Sequence, residues 1–188
     1  PISKKKSNVY LAFHKPAGVL STMSDPEGRP SLCDYVKNRS ERLFHVGRLD
    51  KESEGLILLT NDGELAHRAT HPSYGLVKKY LVEVEGVPSK EQLKALELGI
   101  SLEDGLARAL EVQVLREVSP KHSWVEISIH EGRYHIVRRI FEHFEIPVIR
   151  LIRTNFGPIE LSETGVGRYR VLNQVELDKL FTVLHINR

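Results

Sequence analysis

Apolar positions along this chain follow two spacings, and together they predict short strands mixed with short helices. Val9 to Phe13 and Leu56 to Leu59 are nearly continuous apolar runs of strand length, and Lys78 to Val84 alternates between apolar and polar residues. Such runs are typical of strands buried on both faces or on one face, respectively. A helix is predicted from about Tyr134 to Phe144, because five apolar side chains fall on one arc of about 140°, namely Ile136, Val137, Ile140, Phe141 and Phe144.

Further strands are predicted at residues 109–116, 123–130, 148–153 and 169–172, and further helices at 31–36, 64–71, 89–98 and 174–181. Ser89 and Gln92 have the spacing of a capping box, and Gly99 supplies the C-terminal stop of the same helix. Because strands and helices are mixed without strict alternation, we predict an α+β fold, with a mixed, largely antiparallel β-sheet flanked by helices. At 188 residues the chain has room for one sizeable core, arranged as two lobes.

Basic residues are unevenly spread, although 27 Lys and Arg against 25 Asp and Glu leave a net charge of only +2. From Arg133 to Arg170, seven arginines stand against four glutamates. This local excess predicts a surface that faces phosphates, and a solvated set of charges is the alternative.

Several classes of protein are disfavoured by what the sequence lacks. Cys33 is the single cysteine, so no internal disulfide or paired-cysteine zinc site can form, and a reducing cytoplasmic location is expected. No apolar stretch approaches the ~20 residues of a membrane span, and no signal-peptide pattern is present. There is no glycine-rich nucleotide-binding loop. Since Pro1 is not a natural start residue, we expect the numbering to begin inside a longer chain.

A metal site is also not expected. His67 and His71 are four residues apart on a predicted helix and could share a metal ion. However, Arg68 stands where a metalloprotease helix carries its glutamate. His130, His135 and His143 are expected at the surface or at an interface.

Asp50 follows a Gly-Arg-Leu segment and precedes the apolar run 56–59, a position at the mouth of a loop where catalytic groups are often found. One interpretation is a turn residue whose side chain caps Glu52 or Ser53. The other is a carboxylate nucleophile acting on a sugar carbon, kept ionised and aimed by an arginine. Arg138 and Arg139 flank the apolar arc of their helix about equally, so periodicity does not choose between them.

Tyr80 likewise has two interpretations. It is either a half-buried aromatic residue of its strand or a platform on which an extruded base stacks, with its hydroxyl near the ring.

The ordered motifs of this chain resemble those of a known family. Residues 47–50 (Gly-Arg-Leu-Asp) and 55–63 (Gly-Leu-Ile-Leu-Leu-Thr-Asn-Asp-Gly) closely resemble the catalytic motif of the RsuA/RluB-type family of ribosomal RNA pseudouridine synthases. The family's other motifs are present in order over roughly residues 8–181, at 15–18 (Lys-Pro-Ala-Gly), 79–82 (Lys-Tyr-Leu-Val), 131–139 (Glu-Gly-Arg-Tyr-His-Ile-Val-Arg-Arg) and 150–153 (Arg-Leu-Ile-Arg).

The resemblance implies the pseudouridine synthase fold, with a central catalytic cleft between the lobes. It also implies an enzyme that needs no cofactor and isomerises a specific uridine of ribosomal RNA to pseudouridine. Asp50 is implied as the nucleophile or general base, Tyr80 as the aromatic residue on the target ring, and Arg138 as the partner of the carboxylate. Contacts with the RNA backbone are implied for five basic residues, Lys15, Arg48, Lys79, Arg133 and Arg139.

Two departures from the family pattern qualify these expectations. Ile136 stands where many relatives have Gln, and the given sequence does not include the small RNA-binding domain that commonly precedes the catalytic part, which we expect was either truncated or never present. We therefore divide the chain into a basic N-terminal linker (1–7) and a catalytic domain (8–188), and expect a monomer without nucleotide cofactor or membrane partner.

The substrate and even the class of activity have alternatives. Residues 25–30 resemble the branch that acts on large-subunit ribosomal RNA, whereas 134–135 are closer to the small-subunit branch, and we expect the large subunit. A non-catalytic RNA-binding or ribosome-assembly factor is the alternative of another class. A carboxylate-dependent glycosidase or nucleosidase would need a second catalytic carboxylate, and no motif in the sequence indicates one.

Overall fold

The computed structural model describes residues 7–133 and 135–187 of the chain. Within them lie the strands β1 (Tyr10–Lys15), β2 (Phe44–Val46), β3 (Glu54–Thr60), β4 (Lys78–Val84), β5 (Ile100–Leu102), β6 (Gly105–Ala107), β7 (Glu111–Ser119), β8 (His122–Ile129), β9 (Val148–Phe156), β10 (Ile159–Glu160) and β11 (Tyr169–Val171). The α-helices are α1 (Gly63–Thr70), α2 (Lys90–Leu98), α3 (Ile136–His143) and α4 (Gln174–Val183), and short 3-10 helices span Leu32–Tyr35 and Pro72–Tyr74.

A single nine-stranded sheet runs through these elements. Its order is β11-β1-β3-β9-β4-β8-β7, with β2 added to β3 and β10 added to β9, while β5 and β6 form a separate hairpin. The neighbouring strands are antiparallel except for a short parallel contact between β3 and β9. The α+β fold with a mixed, largely antiparallel sheet is therefore confirmed.

The middle of the sheet is buried on both faces, as the continuous apolar runs predict. Phe13 and Ile57 lie opposite each other across β1 and β3 and pack in the same cluster as the apolar face of α3. Ala12 and Leu58, the adjacent pair, pack in a second cluster with residues of α1 and α4. Successive side chains of a strand point to opposite faces, so each strand feeds two cores.

The parallel contact of β3 with β9 depends on a glycine. A Cβ atom at Gly55 would lie 2.2 Å from the main-chain oxygen of Arg153, and Gly55 has a φ of +108°. Only glycine combines such a close approach with a positive φ. Arg150 reinforces the same junction through two hydrogen bonds to Glu54, at 2.8 and 2.9 Å. The segment after Asp50 is thereby fixed against β9.

The predicted strands and helices are all present, with shifts of a few residues at their ends, and the helix predicted at 31–36 is a 3-10 helix. The capping box of Ser89 and Gln92 is formed, and Gly99 ends α2. The short strands β2, β5, β6 and β10 were not predicted, because runs of two or three residues carry no periodic signal. The N-terminal linker expected at 1–7 lies almost wholly outside the described residues. No helix of residues 7–133 and 135–187 is long and apolar enough to cross a bilayer.

Candidate active site

A cleft of about 760 Å³ lies against the middle of the sheet. Strands β4 and β9 form its floor, the loop before β3 forms one wall, and the segment leading into α3 forms another. This volume falls within the range of small-molecule sites and suits a single nucleotide. The side chains that line it include Arg48, Asp50, Ser53, Lys78, Tyr80, Arg133, His135, Leu151, Arg153 and Phe156.

The loop that carries Asp50 is fastened on both sides of that residue. On one side the Ser21 hydroxyl donates to the Leu49 carbonyl at 2.5 Å and accepts from the Leu49 N–H at 2.9 Å. On the other side the Lys51 carbonyl accepts from the Lys15 ammonium at 3.1 Å and from the Gly18 N–H at 2.7 Å. Asp50 is therefore presented by a backbone that cannot easily shift.

The Asp50 carboxylate itself is accessible, with 30 % of its side chain exposed. Oδ1 lies 3.5 Å from Nε2 of His135, at the outer limit of a hydrogen bond or ion pair, and no shorter polar contact to the carboxylate occurs within the described part of the chain. The turn is closed by the Asp50 main-chain carbonyl, which accepts from the Ser53 N–H at 2.9 Å. The capping role for the side chain is thus not observed, and the carboxylate, contacted only loosely at Oδ1, remains open to a ligand.

Tyr80 lies on the floor of the cleft, 7 % exposed. It is directly opposite Arg153 in the β4–β9 pair, and Lys78 is two residues before it on the same face. The ring is therefore an apolar platform flanked by two cations.

Arg153 is 3 % exposed and held rigidly. Its Nε donates to the Leu56 carbonyl at 2.8 Å, and its guanidinium lies 5.0 Å from the centre of the Phe156 ring. Nη2 is buried, and no hydrogen-bond partner for it exists among residues 7–133 and 135–187. Burial lowers the pKa of the Lys78 ammonium, and the nearby Arg153 charge lowers it further, against an opposing effect of Glu131. The floor of the cleft thus holds two cations that form no ion pair within 4.0 Å among the described residues.

The structure does not form the expected ion pair between Arg138 and Asp50. Nη2 of Arg138 lies 3.5 Å from Oγ of Ser53, at the foot of the loop, and it is His135 that lies beside the Asp50 carboxylate. Arg138 lines a separate pocket with Glu142 and residues 145–148 rather than the cleft. Arg139 turns away from Asp50 and binds Asp104 at 2.7 Å.

Lys15 also differs from its expected role as a phosphate contact. Its side chain is fully buried, and Nζ donates to the carbonyls of Pro16, Val19 and Lys51 at 2.9, 2.6 and 3.1 Å. Burial lowers the pKa of Lys15 to about 8, against the opposing charges of Glu52, Glu54 and Asp50. All three donors are used within the fold, so Lys15 supports the Asp50 loop and offers nothing to RNA in this arrangement.

The remaining basic residues are divided between the cleft and other surfaces. Arg48 is exposed at the cleft, and Arg133 lines it while bound to Glu131 and Asp104. Lys79 is on the opposite face of β4 from Tyr80, with its ammonium 4.0 Å from Glu126, and does not line the cleft. Of the seven arginines counted in the sequence, four have carboxylate partners, namely Arg133, Arg139, Arg150 and Arg170. The excess of unpaired positive charge in residues 133–170 is therefore smaller than the count of seven arginines against four glutamates predicts.

Sequence reasoning missed three residues of the cleft. His135 was expected at a surface or interface, and neither Lys78 nor Arg153 was assigned a role. Alternation along β4 could have identified Lys78, since it shares a face with Tyr80. Nothing in the sequence shows that Nη2 of Arg153 lacks a hydrogen-bond partner among the described residues. Among the described residues no cluster of three or more metal-binding side chains occurs.

Comparison with known proteins identifies the class to which this fold and cleft belong. The family model described as RNA pseudouridylate synthase matches residues 9–143. The chain belongs to this family and is an RNA pseudouridine synthase.

Individual relatives place it in the RsuA/RluB-type branch. It is 44 % identical over 178 residues to an uncharacterised RNA pseudouridine synthase of Mycobacterium leprae, covering 93 % of this chain and 69 % of that protein. It is 39 % identical to ribosomal large subunit pseudouridine synthase B of Bacillus subtilis, covering 94 % of this chain and 73 % of the relative. A crystal structure of a pseudouridylate synthase has a TM-score of 0.80 and 31 % identity, covering 94 % of this chain and 75 % of the other.

Proposed function

We propose that this enzyme isomerises a uridine of large-subunit ribosomal RNA to pseudouridine, without a cofactor and with Asp50 as its catalytic carboxylate. This substrate is supported by the relatives in Bacillus subtilis and Pseudomonas aeruginosa, 39 % and 42 % identical, that are named ribosomal large subunit pseudouridine synthase B. We also propose that it acts in the cytoplasm, where ribosomal RNA of bacteria is made.

One observation carries the assignment of Asp50. Its carboxylate is open to the cleft while the backbone on either side is held by hydrogen bonds from Ser21 and Lys15. A group that must act on a sugar or base needs free oxygens in a fixed position, because much of the rate enhancement comes from orientation. Tyr80 on the floor of the same cleft offers the base a stacking surface.

In this reaction the target nucleotide leaves its stack and enters the cleft, at a cost of a few kcal/mol that stacking and ionic contacts offset. The N1–C1′ bond breaks, the uracil turns within the cleft, and its C5 bonds to C1′. The proton of C5 is lost and N1 gains one, so the product is an isomer of the substrate. Asp50 acts as nucleophile or general base, and the Tyr80 hydroxyl assists in the loss of the C5 proton.

The test is to replace Asp50 with Asn, which keeps the shape and removes the charge. Pseudouridine formation should fall by at least about 1,000-fold, because loss of a catalytic nucleophile has effects of this size or larger. Base-resolution mapping of ribosomal RNA, from cells that carry each variant in place of the native gene, measures it and identifies the uridine. The matched control is Asp178→Asn on α4, which removes the same charge outside the cleft. Near-normal turnover of Asp50→Asn would refute the assignment.

A further inference from the structure

Two cations lie at the floor of the cleft without carboxylate partners. Lys78 and Arg153 line the cleft on neighbouring strands, and neither forms an ion pair within 4.0 Å in the part of the chain that the structure describes. Lys78 donates to the His130 carbonyl at 2.8 Å, and Arg153 donates from Nε to the Leu56 carbonyl. Arg153 is buried and Lys78 is half-buried. Charges withdrawn from water are normally paired, so an unpaired set in a cleft points to an anionic or strongly polar ligand.

The unpartnered nitrogen is the second observation. Nη2 of Arg153 is buried and makes no hydrogen bond to any residue of 7–133 or 135–187, although a buried donor without a partner costs about 1–3 kcal/mol. The Nε bond and the Phe156 ring hold the guanidinium in place. A donor kept in position without a partner is the arrangement expected of a preorganised electrostatic site.

We infer that Arg153 and Lys78 form a subsite that receives a carbonyl oxygen of the target uracil and stabilises the negative charge of the detached base. This inference rests on the proposed function, the isomerisation of a uridine at this cleft. When the N1–C1′ bond breaks, its electron pair leaves with the uracil, and the charge is shared by the two carbonyl oxygens. Bonding of C5 to C1′ uses an electron pair of that anion, so the charge exists only between the two bond changes.

The depth of the subsite favours a base oxygen over a phosphate. Arg153 is 3 % exposed and directly opposite Tyr80, the surface on which the base would stack. A phosphate is strongly hydrated and stays at the rim, where Arg48 is exposed. Positive charge at the floor is also of most use where negative charge develops, because the surroundings there exclude water.

The experiment measures the chemical step separately from RNA binding. Arg153→Met keeps an apolar side chain against Phe156 and removes the positive charge. Lys78→Met removes the neighbouring positive charge. Arg153→Lys keeps a positive charge but loses the forked donors of the guanidinium. Under single-turnover conditions with saturating RNA, Arg153→Met should slow pseudouridine formation on the order of 100-fold, with Kd for the RNA unchanged. Lys78→Met should slow it less, and Arg153→Lys should fall between wild type and Arg153→Met. Arg116→Met and Lys121→Met, at the β7–β8 edge of the sheet, are matched controls.

Substitution of the substrate then identifies the contact. RNA with 2-thiouridine or 4-thiouridine at the target position replaces one carbonyl oxygen with sulfur, a weaker acceptor. The wild-type enzyme should be slowed by the thio group at the contacted position, and Arg153→Met should show no further slowing by that group. Independent, multiplicative losses would overturn the inference.

Other outcomes are equally decisive. A weaker Kd, a salt dependence reduced by about one charge and an unchanged chemical rate would show a phosphate contact instead. A lower melting temperature with unchanged rate and affinity would show a structural role. If the wild-type enzyme forms no pseudouridine in ribosomal RNA, the proposed function is refuted. If the wild type is active and Arg153→Met forms pseudouridine at the same rate, only the subsite is refuted.

Discussion

Lys15 and Arg153 are the cations that the described part of the fold buries most completely, at 0 % and 3 % exposure, and their donors are used in opposite ways. The Lys15 ammonium gives three hydrogen bonds to main-chain carbonyls below the Asp50 loop. The Arg153 guanidinium gives one, from Nε, and leaves Nη2 without a partner among residues 7–133 and 135–187. Equal charge and burial therefore do not imply equal roles. The first cation stabilises the loop that positions the carboxylate, and the second remains available to a ligand.

The largest expected effect comes from Gly55, because this residue joins β3, which follows the Asp50 loop supported by Lys15, to β9, which carries Arg153. In Gly55→Ala the new Cβ would lie 2.2 Å from the Arg153 main-chain oxygen at a φ of +108°. We expect a loss of about 4 kcal/mol or more in the free energy of unfolding, as for severe overpacking combined with backbone strain. Denaturant unfolding followed by circular dichroism measures it.

The matched control for this change is Gly63→Ala at the start of α1, where a Cβ would have no neighbour within 4 Å and φ is not positive. Its stability should be equal to that of the wild type or slightly higher. Comparable stability of both alanine variants would show that β3 and β9 can separate without cost, and that the junction does not set the positions of the two cations.

The second prediction separates Lys15 from Arg153 directly. Lys15→Met leaves three carbonyls without their donor, and we expect a loss of about 2 kcal/mol in stability, or about 4–8 °C in Tm for a domain of this size. Arg153→Met should lower Tm by less, since only one hydrogen bond is lost and a poorly paired charge is removed. For the rate of the chemical step, measured at a temperature where both variants are folded, we expect the opposite order, with Arg153→Met slower than Lys15→Met. If Arg153→Met lost more Tm than Lys15→Met, the division of roles would be wrong.

The pH dependence of stability gives this contrast a second readout. The pKa of Lys15 is about 8 in the folded protein, below its ordinary value of 10.5. Between these two values the unfolded chain binds a proton that the folded protein does not, so this residue makes the free energy of unfolding rise with pH. Lys15→Met should reduce that rise between pH 8 and pH 10 in denaturant titrations. An identical slope in both proteins would mean that Lys15 keeps its ordinary pKa.

Much of the fold was predictable, because the signals are local. The continuous apolar run at 56–59 and the alternation at 78–84 reflect burial on two faces and on one face. The capping box of Ser89 depends on residues three apart. The close contact of Gly55 with β9 was not predictable, because it depends on a partner almost a hundred residues away.

For the site, Asp50 and Tyr80, the residues that the motifs indicate, both line the cleft, yet residue type alone did not show how each basic side chain is used. Lys15 was expected at RNA and is buried under the loop, and Arg138 was expected at Asp50 and instead contacts Ser53. Whether a cation is available depends on which carbonyls and carboxylates surround it in three dimensions. That information first exists when the chain is folded.

The smallest expected effect concerns Asp104, which forms ion pairs with two partly exposed arginines at and beside the cleft. Arg133 and Arg139 both bind Oδ1 of Asp104, and the hydrogen bond from Arg139 is the main reason why the pKa of Asp104 is lowered. Asp104→Asn removes the negative charge between them, so RNA binding should become a few-fold tighter, with a salt dependence steeper by about one charge. Asp178→Asn changes net charge equally on α4 and should have a weaker effect. Filter binding at several salt concentrations measures both. Weaker binding by Asp104→Asn would instead show that Asp104 holds the two arginines in the geometry that RNA needs.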